Sequence, residues 1–128
     1  MKRVLYLLLI TFAFVSCNGQ QKKGTELLAP QQFSQEMAKD KGQLIDVRTP
    51  KEYKSGHLDG AVNIHLYDQD FNERINKLDK NETVYVYCKA GGRSSEAVES
   101  LKLNGFTHIV ELKGGTDAWT EAGQPLKQ

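Results

Sequence analysis

The chain is poor in the residues that build metal centres, disulfide frameworks and nucleic-acid surfaces. It has two cysteines and three histidines among 128 residues. The histidines, His57, His65 and His108, are scattered, and with one free thiol they do not make a metal site. Basic and acidic residues nearly balance, 17 against 16, and the basic ones form no cluster of the kind that phosphate binding needs; nucleic acid is not an expected partner. Gly and Pro form no low-complexity tract, and no repeat occurs at solenoid periods. No apolar run reaches the roughly 20 residues of a spanning helix. What remains is a chain of ordinary apolar content, long enough for one domain of about 100 to 150 residues.

The N-terminus is distinctive. Lys2 and Arg3 precede an uncharged, mostly apolar run from Val4 to Ser16, with no basic stop-transfer segment behind it. This is the layout of a secretion signal over residues 1–16, with an uncleaved anchor as the alternative. The run ends on Ser16-Cys17 and resembles the lipobox of bacterial lipoproteins, although Phe14 stands where that motif prefers an aliphatic residue. The resemblance implies that Cys17 is thioether-linked to diacylglycerol and becomes the mature N-terminus. Two or more acyl chains hold a protein stably on a bilayer, so the expected location is the bacterial cell envelope, on the periplasmic or outer face. Loss of Lys2 and Arg3 leaves 15 basic against 16 acidic residues. With Cys17 lipidated, Cys88 is the only thiol, and no internal disulfide can form. A lone cysteine in an oxidising compartment is either buried and inert or kept for its chemistry.

Residues 17–25, from the lipidated cysteine through NGQQKKGT, read as a polar tether, and residues 26–126 as the domain. Pro30 opens a helix through Lys39, with Phe33 and Met37 on one face, and Gly42 ends it. Apolar, β-branched runs at Gln43–Val47, Ala61–Ile64, Thr83–Tyr87 and His108–Leu112 read as strands. Between and after them come helical patterns: a start at Thr49-Pro50, the spacing of Phe71, Ile75 and Leu78, the group Ala97, Val98, Leu101 and Leu103 stopped by Asn104-Gly105, and the segment around Ala118 and Trp119. Strands alternating with helices predict an α/β fold, a mainly parallel sheet covered on both faces with sites at the carboxyl ends of the strands.

Chemistry concentrates where Cys88 follows the TVYVY strand and precedes Lys89, Ala90, Gly91, Gly92 and Arg93. A strand, a glycine-containing loop and a helix start allow several backbone N–H groups to converge on one point and add positive potential there. A thiol so placed, beside Lys or Arg, has its pKa lowered and becomes a nucleophile at neutral pH.

At these residues the chain resembles the single-domain rhodanese family. CKAGGR matches the family's Cys-x-x-Gly-x-Arg loop. Leu44–Arg48 with Glu52–Ile64 is similar to its upstream block, and Leu112–Trp119 to its C-terminal block. The resemblance implies a three-layer α/β domain with a parallel five-stranded sheet, acting as a monomer and requiring no cofactor. It implies a sulfurtransferase in which Cys88 takes the outer sulfur of thiosulfate or a related donor as a persulfide and passes it to cyanide or a thiol, on a small molecule or a protein. Lys89, Ala90, Gly91, Gly92 and Arg93 would bind the small anionic donor. Phosphatases of the cell-division-cycle type resemble this fold but use a loop one residue longer, which favours sulfur over phosphate here. A non-catalytic binding or sensing module is a second reading, and a persulfide carrier or redox partner is a third that shares the same site.

Asp46, Arg48 and Glu52 are expected to tie strand ends to neighbouring loops, His57 to be structural, and Trp119 to pack or line a pocket.

Overall fold

The computed structural model describes residues 23–128. The signal segment, Cys17 and most of the proposed tether lie outside the described residues. Ten elements alternate along the chain: β1 Gly24–Leu28, α1 Pro30–Lys39, β2 Gln43–Asp46, α2 Pro50–Ser55, β3 Val62–Asn63, α3 Phe71–Ile75, β4 Val84–Tyr87, α4 Gly92–Leu103, β5 His108–Leu112 and α5 Gly115–Glu121. The strands form one five-stranded sheet in the order β1-β5-β4-β2-β3, with every pairing parallel. No helix among the described residues is long and apolar enough to cross a membrane.

The sheet divides the core into two halves, and β4 shows why its sequence is apolar throughout. Val84 and Val86 face one side with Ile45, Ile109, Phe71, Ile75, Ala97, Val98 and Leu101. Tyr85 and Tyr87 face the other with Phe33, Val110, Leu112 and Trp119. All four β4 residues are buried, as a central parallel strand covered on both faces requires. Helices α3 and α4 therefore cover one face, and α1 and α5 the other.

Three details differ from the sequence expectations. The fifth strand, β1, begins at Gly24, so Gly24 and Thr25 belong to the sheet and not to the tether. It is an edge strand paired only with β5, and much of it is exposed, so it carries no continuous apolar run. The strand at Ala61–Ile64 shortens to Val62–Asn63. Leu103 is 88% exposed, because Ala97, Val98 and Leu101 form one helical stripe while a residue two positions beyond Leu101 lies about 200° around the axis. Asn104-Gly105 does end α4: Gly105 N–H donates to Lys102 O at 3.0 Å and Phe106 N–H to Leu101 O at 3.2 Å, the paired bonds of a Schellman stop.

Strands β2 and β4 are neighbours whose following segments leave for opposite faces. Tyr53 of α2 packs beside Tyr85 and Tyr87, whereas α4 packs on Val84 and Val86. A crevice opens at such a switch point, at the carboxyl end of the strands, and Cys88 follows the last residue of β4.

Phe33 anchors the α1 face. It is fully buried, edge-on to Tyr85 at 5.4 Å and to Trp119 at 6.3 Å between ring centroids. Phe33→Ala should lower the unfolding free energy by about 3–5 kcal/mol, read from urea denaturation curves of variant and wild type.

Candidate active site

The loop from Cys88 to Gly91 is fixed from below by the third sequence block. Thr116 N–H donates to Cys88 O at 2.9 Å and Asp117 N–H to Lys89 O at 3.0 Å, so the first turn of α5 satisfies the carbonyls of the loop. Gly115 permits that approach. A Cβ there would sit 2.3 Å from Cys88 O and 2.5 Å from the Lys89 carbonyl carbon and oxygen, and its φ is +59°. At the other end, Gly91 takes φ +114° just before α4, which turns its N–H onto Cys88 Sγ at 3.0 Å.

Cys88 is 1% exposed. Burial pushes its thiol pKa up, but the Ser94 hydroxyl and the backbone N–H groups of Ser94, Gly91 and Ala90 pull it down, and the net displacement is downward. The convergence of N–H groups expected of the loop is therefore present, with Gly92 opening α4 and Lys89, Ala90 and Gly92 exposed around the sulfur.

The two basic side chains of the loop are not free. Arg93 makes a two-pronged pair with Glu52 on α2, Nη1 to Oε1 at 2.7 Å and Nη2 to Oε2 at 2.9 Å. Lys89 reaches Asp117 at 2.9 Å across an exposed surface, a contact of little energetic weight. Glu52 is held in place by a capping box: Thr49 Oγ1 accepts from Glu52 N–H at 3.2 Å, while Glu52 Oε1 accepts from Thr49 N–H at 3.3 Å. One carboxylate thus closes the start of α2 and ties it to the start of α4.

Asp46 and Arg48 lie at the end of β2, buried and paired, with Arg48 Nη2 2.7 Å from Asp46 Oδ2 and also donating to Gly56 O at 2.7 Å. Asn63 Nδ2 donates to Asp46 O and Arg48 O at 3.0 and 2.9 Å. The upstream block is thereby knitted to the strand end. His57 stacks on Tyr53 with ring centroids 3.8 Å apart, and its backbone pairs with Lys127. Trp119 packs against Phe33 and donates Nε1–H to Pro125 O at 2.9 Å. Among the described residues no group of three or more His, Cys, Asp or Glu is placed to hold a metal ion.

Sequence reasoning missed three groups here: Ser94, whose hydroxyl lies 3.5 Å from Sγ; Glu52 as the partner of Arg93; and Glu111, buried on β5 and bonded to Ser94. The Thr49-x-x-Glu52 spacing is a legible capping signature, but nothing in it points to Arg93.

Residues 29–122 match the family described as Rhodanese-like domain. The chain belongs to that family. It is 49% identical over 75 residues to the thiosulfate sulfurtransferase PspE of Escherichia coli, a match covering 57% of this chain and 70% of that one. It is 44% identical over 79 residues to the Bacillus subtilis protein YqhL, covering 62% of this chain and 61% of YqhL. Among solved structures, a rhodanese-related protein of Thermoplasma volcanium superposes with a TM-score of 0.70 at 27% identity, covering 80% of this chain and 97% of that one. The rhodanese-like fold, with sulfurtransferases among the relatives, agrees with the reading of the three sequence blocks.

The Glu52–Arg93 pair gives acid sensitivity. The Arg93 hydrogen bond, opposed by partial burial and assisted by Thr49, holds the Glu52 carboxyl at about 2. A carboxyl depressed in the folded state contributes stability that is present above its ordinary value of about 4.3 and is lost as pH falls towards about 2. Glu52→Gln should therefore be less stable than wild type at pH 6, and the difference should shrink by pH 3, as urea denaturation at the two pH values would show.

Proposed function

We propose that the chain is a sulfurtransferase working through a Cys88 persulfide. The observation that carries this reading is a buried thiol whose pKa is lowered by backbone N–H groups converging at a strand-to-helix loop. Such a site suits a sulfur anion: the thiolate before reaction and the persulfide after it. In the first half-reaction the Cys88 thiolate attacks the outer sulfur of thiosulfate or a related sulfane donor. A new S–S bond forms, the donor's S–S bond breaks, and sulfite leaves with the electron pair. In the second, cyanide or a thiol attacks the outer sulfur of the persulfide and the Cys88 thiolate is regenerated. The six-residue span from Cys88 to Arg93 favours a sulfur atom over a phosphate in the loop.

Lys89, Ala90, Gly91, Gly92 and Arg93 form the donor-binding surface in this reading. Because Glu52 already engages Arg93, an anionic donor reaches the guanidinium either through its remaining N–H groups or by displacing that carboxylate. The backbone N–H groups carry the larger share of anion stabilisation. The non-catalytic alternative gives no reason for lowering the pKa of a thiol buried under its own loop.

Full-length protein carrying Cys17→Ser, in which Cys88 is the one thiol, should gain a single sulfur atom on mixing with thiosulfate and lose it on adding cyanide. A further Cys88→Ser change should abolish the gain. Intact-mass spectra read all three states. No adduct on the Cys88-containing protein would put the binding-module reading in front.

The location we propose is the outer side of a bacterial membrane, with lipid on Cys17 and the tether between lipid and domain. It is supported by the order of Lys2, Arg3, the apolar run and Ser16-Cys17. Expressed in a bacterium, Cys17→Ser should move the protein from the membrane fraction to the soluble one. Retention on membranes would mean that the apolar run itself is the anchor.

A further inference from the structure

A single hydroxyl links Cys88 to a buried carboxylate. Ser94 Oγ is fully buried, 3.5 Å from Cys88 Sγ, 3.2 Å from Gly91 O and 2.7 Å from Glu111 Oε2. A hydroxyl has one proton to give, and the nearest acceptor is the carboxylate. Given to Glu111, that proton leaves an Oγ lone pair facing sulfur, and the Cys88 S–H is the donor that fits it. Ser95 Oγ donates to the same Glu111 Oε2 at 3.0 Å and holds the carboxylate in place. Glu111 is 6% exposed, and it has no ion-pair partner among the described residues.

We propose that Glu111 is a positioning residue that takes up the Cys88 proton through the Ser94 hydroxyl, so that thiol and carboxyl hold one proton between them. The step is a double proton shift. The S–H bond breaks as Ser94 Oγ accepts its proton, and Ser94's own O–H proton passes to Glu111 Oε2. Negative charge moves from carboxylate to sulfur without oxidation and without water. Afterwards the Ser94 O–H points at the thiolate, joining the Gly91 N–H. The proposal deepens the sulfurtransferase reading and rests on it only in treating the Cys88 thiolate as the working form.

One charged neighbour acts on this pair: the Arg93 guanidinium interacts with the Cys88 sulfur. Of the charged groups on the elements packed around Cys88, Arg93 on α4 is paired with Glu52 on α2, Lys89 with Asp117 on α5, and Arg48 after β2 with Asp46. Tyr67 stands on the Arg93 side. The strands flanking Glu111 set uncharged residues beside it, Val86 on β4 and Leu27 on β1.

Two groups that share a proton titrate as a pair, in two macroscopic steps. The test is the rate of Cys88 alkylation by iodoacetamide against pH, in full-length protein carrying Cys17→Ser. The expected profile rises, runs level where the pair holds one proton and a fixed fraction of it is thiolate, then rises again as the second proton leaves. Glu111→Gln should replace this with a single step near the lower one, at least about one pH unit below the upper step. A single-step profile unchanged by Glu111→Gln would overturn the proposal. Infrared spectra of the unsubstituted Glu111 protein give a second reading that does not depend on a variant's folding. The S–H band and the carboxylic-acid C=O band should decline together across the upper step, whereas decline of the S–H band alone would overturn it. Neither measurement uses a sulfur donor, so failure of sulfur uptake and failure of proton sharing are separate results.

Discussion

The structure depends on favouring the charged form of a thiol that water scarcely touches. At 1% exposure, a Cys88 thiolate loses its hydration, and an unsolvated buried charge is too costly to persist. The protein must supply the solvation itself. Gly91, Ala90 and Ser94 do so from the loop and the first turn of α4, but backbone N–H groups converge only if the chain turns sharply and stays turned. The turn is held because α5 begins directly beneath it, with Thr116 and Asp117 N–H groups on the Cys88 and Lys89 carbonyls. Gly115 is the residue without which that contact could not close.

This dependence explains why motifs far apart in sequence read as one site. In sequence the C-terminal block, Leu112–Trp119, is a strand end, two glycines and a helix start, and composition alone gives it no function. In the fold it is the floor of the cysteine loop. The upstream block does related work from the opposite side: Asp46, Arg48 and Asn63 lock the end of β2, and Glu52 reaches across the switch point to Arg93. The candidate nucleophile belongs to one segment, and the other two fix its surroundings.

What could be read from the sequence follows the same division. Strong local patterns were legible: the all-buried β4, the Phe33 face of α1, the Gly105 stop and the Cys88 loop before a helix. Residues whose meaning comes from a partner distant in sequence were not. Strand β1 is polar and half exposed because it has one neighbour, so its pairing with β5 leaves no apolar signature. Glu52 has a local reason to be where it is, the capping box of α2, whereas Arg93 at the start of α4 has none, and their pairing exists only once β2 and β4 lie side by side. Glu111 is the extreme case: in HIVEL it reads as one polar residue in a short strand, yet it is buried against Ser94 and Ser95.

The placement of acidic groups then separates two tasks. Glu52 takes up part of the positive charge of Arg93; under the proposed sulfur transfer this leaves the loop N–H groups as the main recognition element for an anionic donor. Backbone N–H groups recognise an anion through directed hydrogen bonds, whereas a bare guanidinium selects mainly by charge and planar geometry. Glu111 accepts from Ser94 and Ser95, and in the proposed proton sharing it acts on the protonation of Cys88. Under these proposals one carboxylate tempers access and the other tempers the nucleophile, and because they bond different residues, Glu52 to Arg93 and Glu111 to Ser94, either can be altered while the other continues to act.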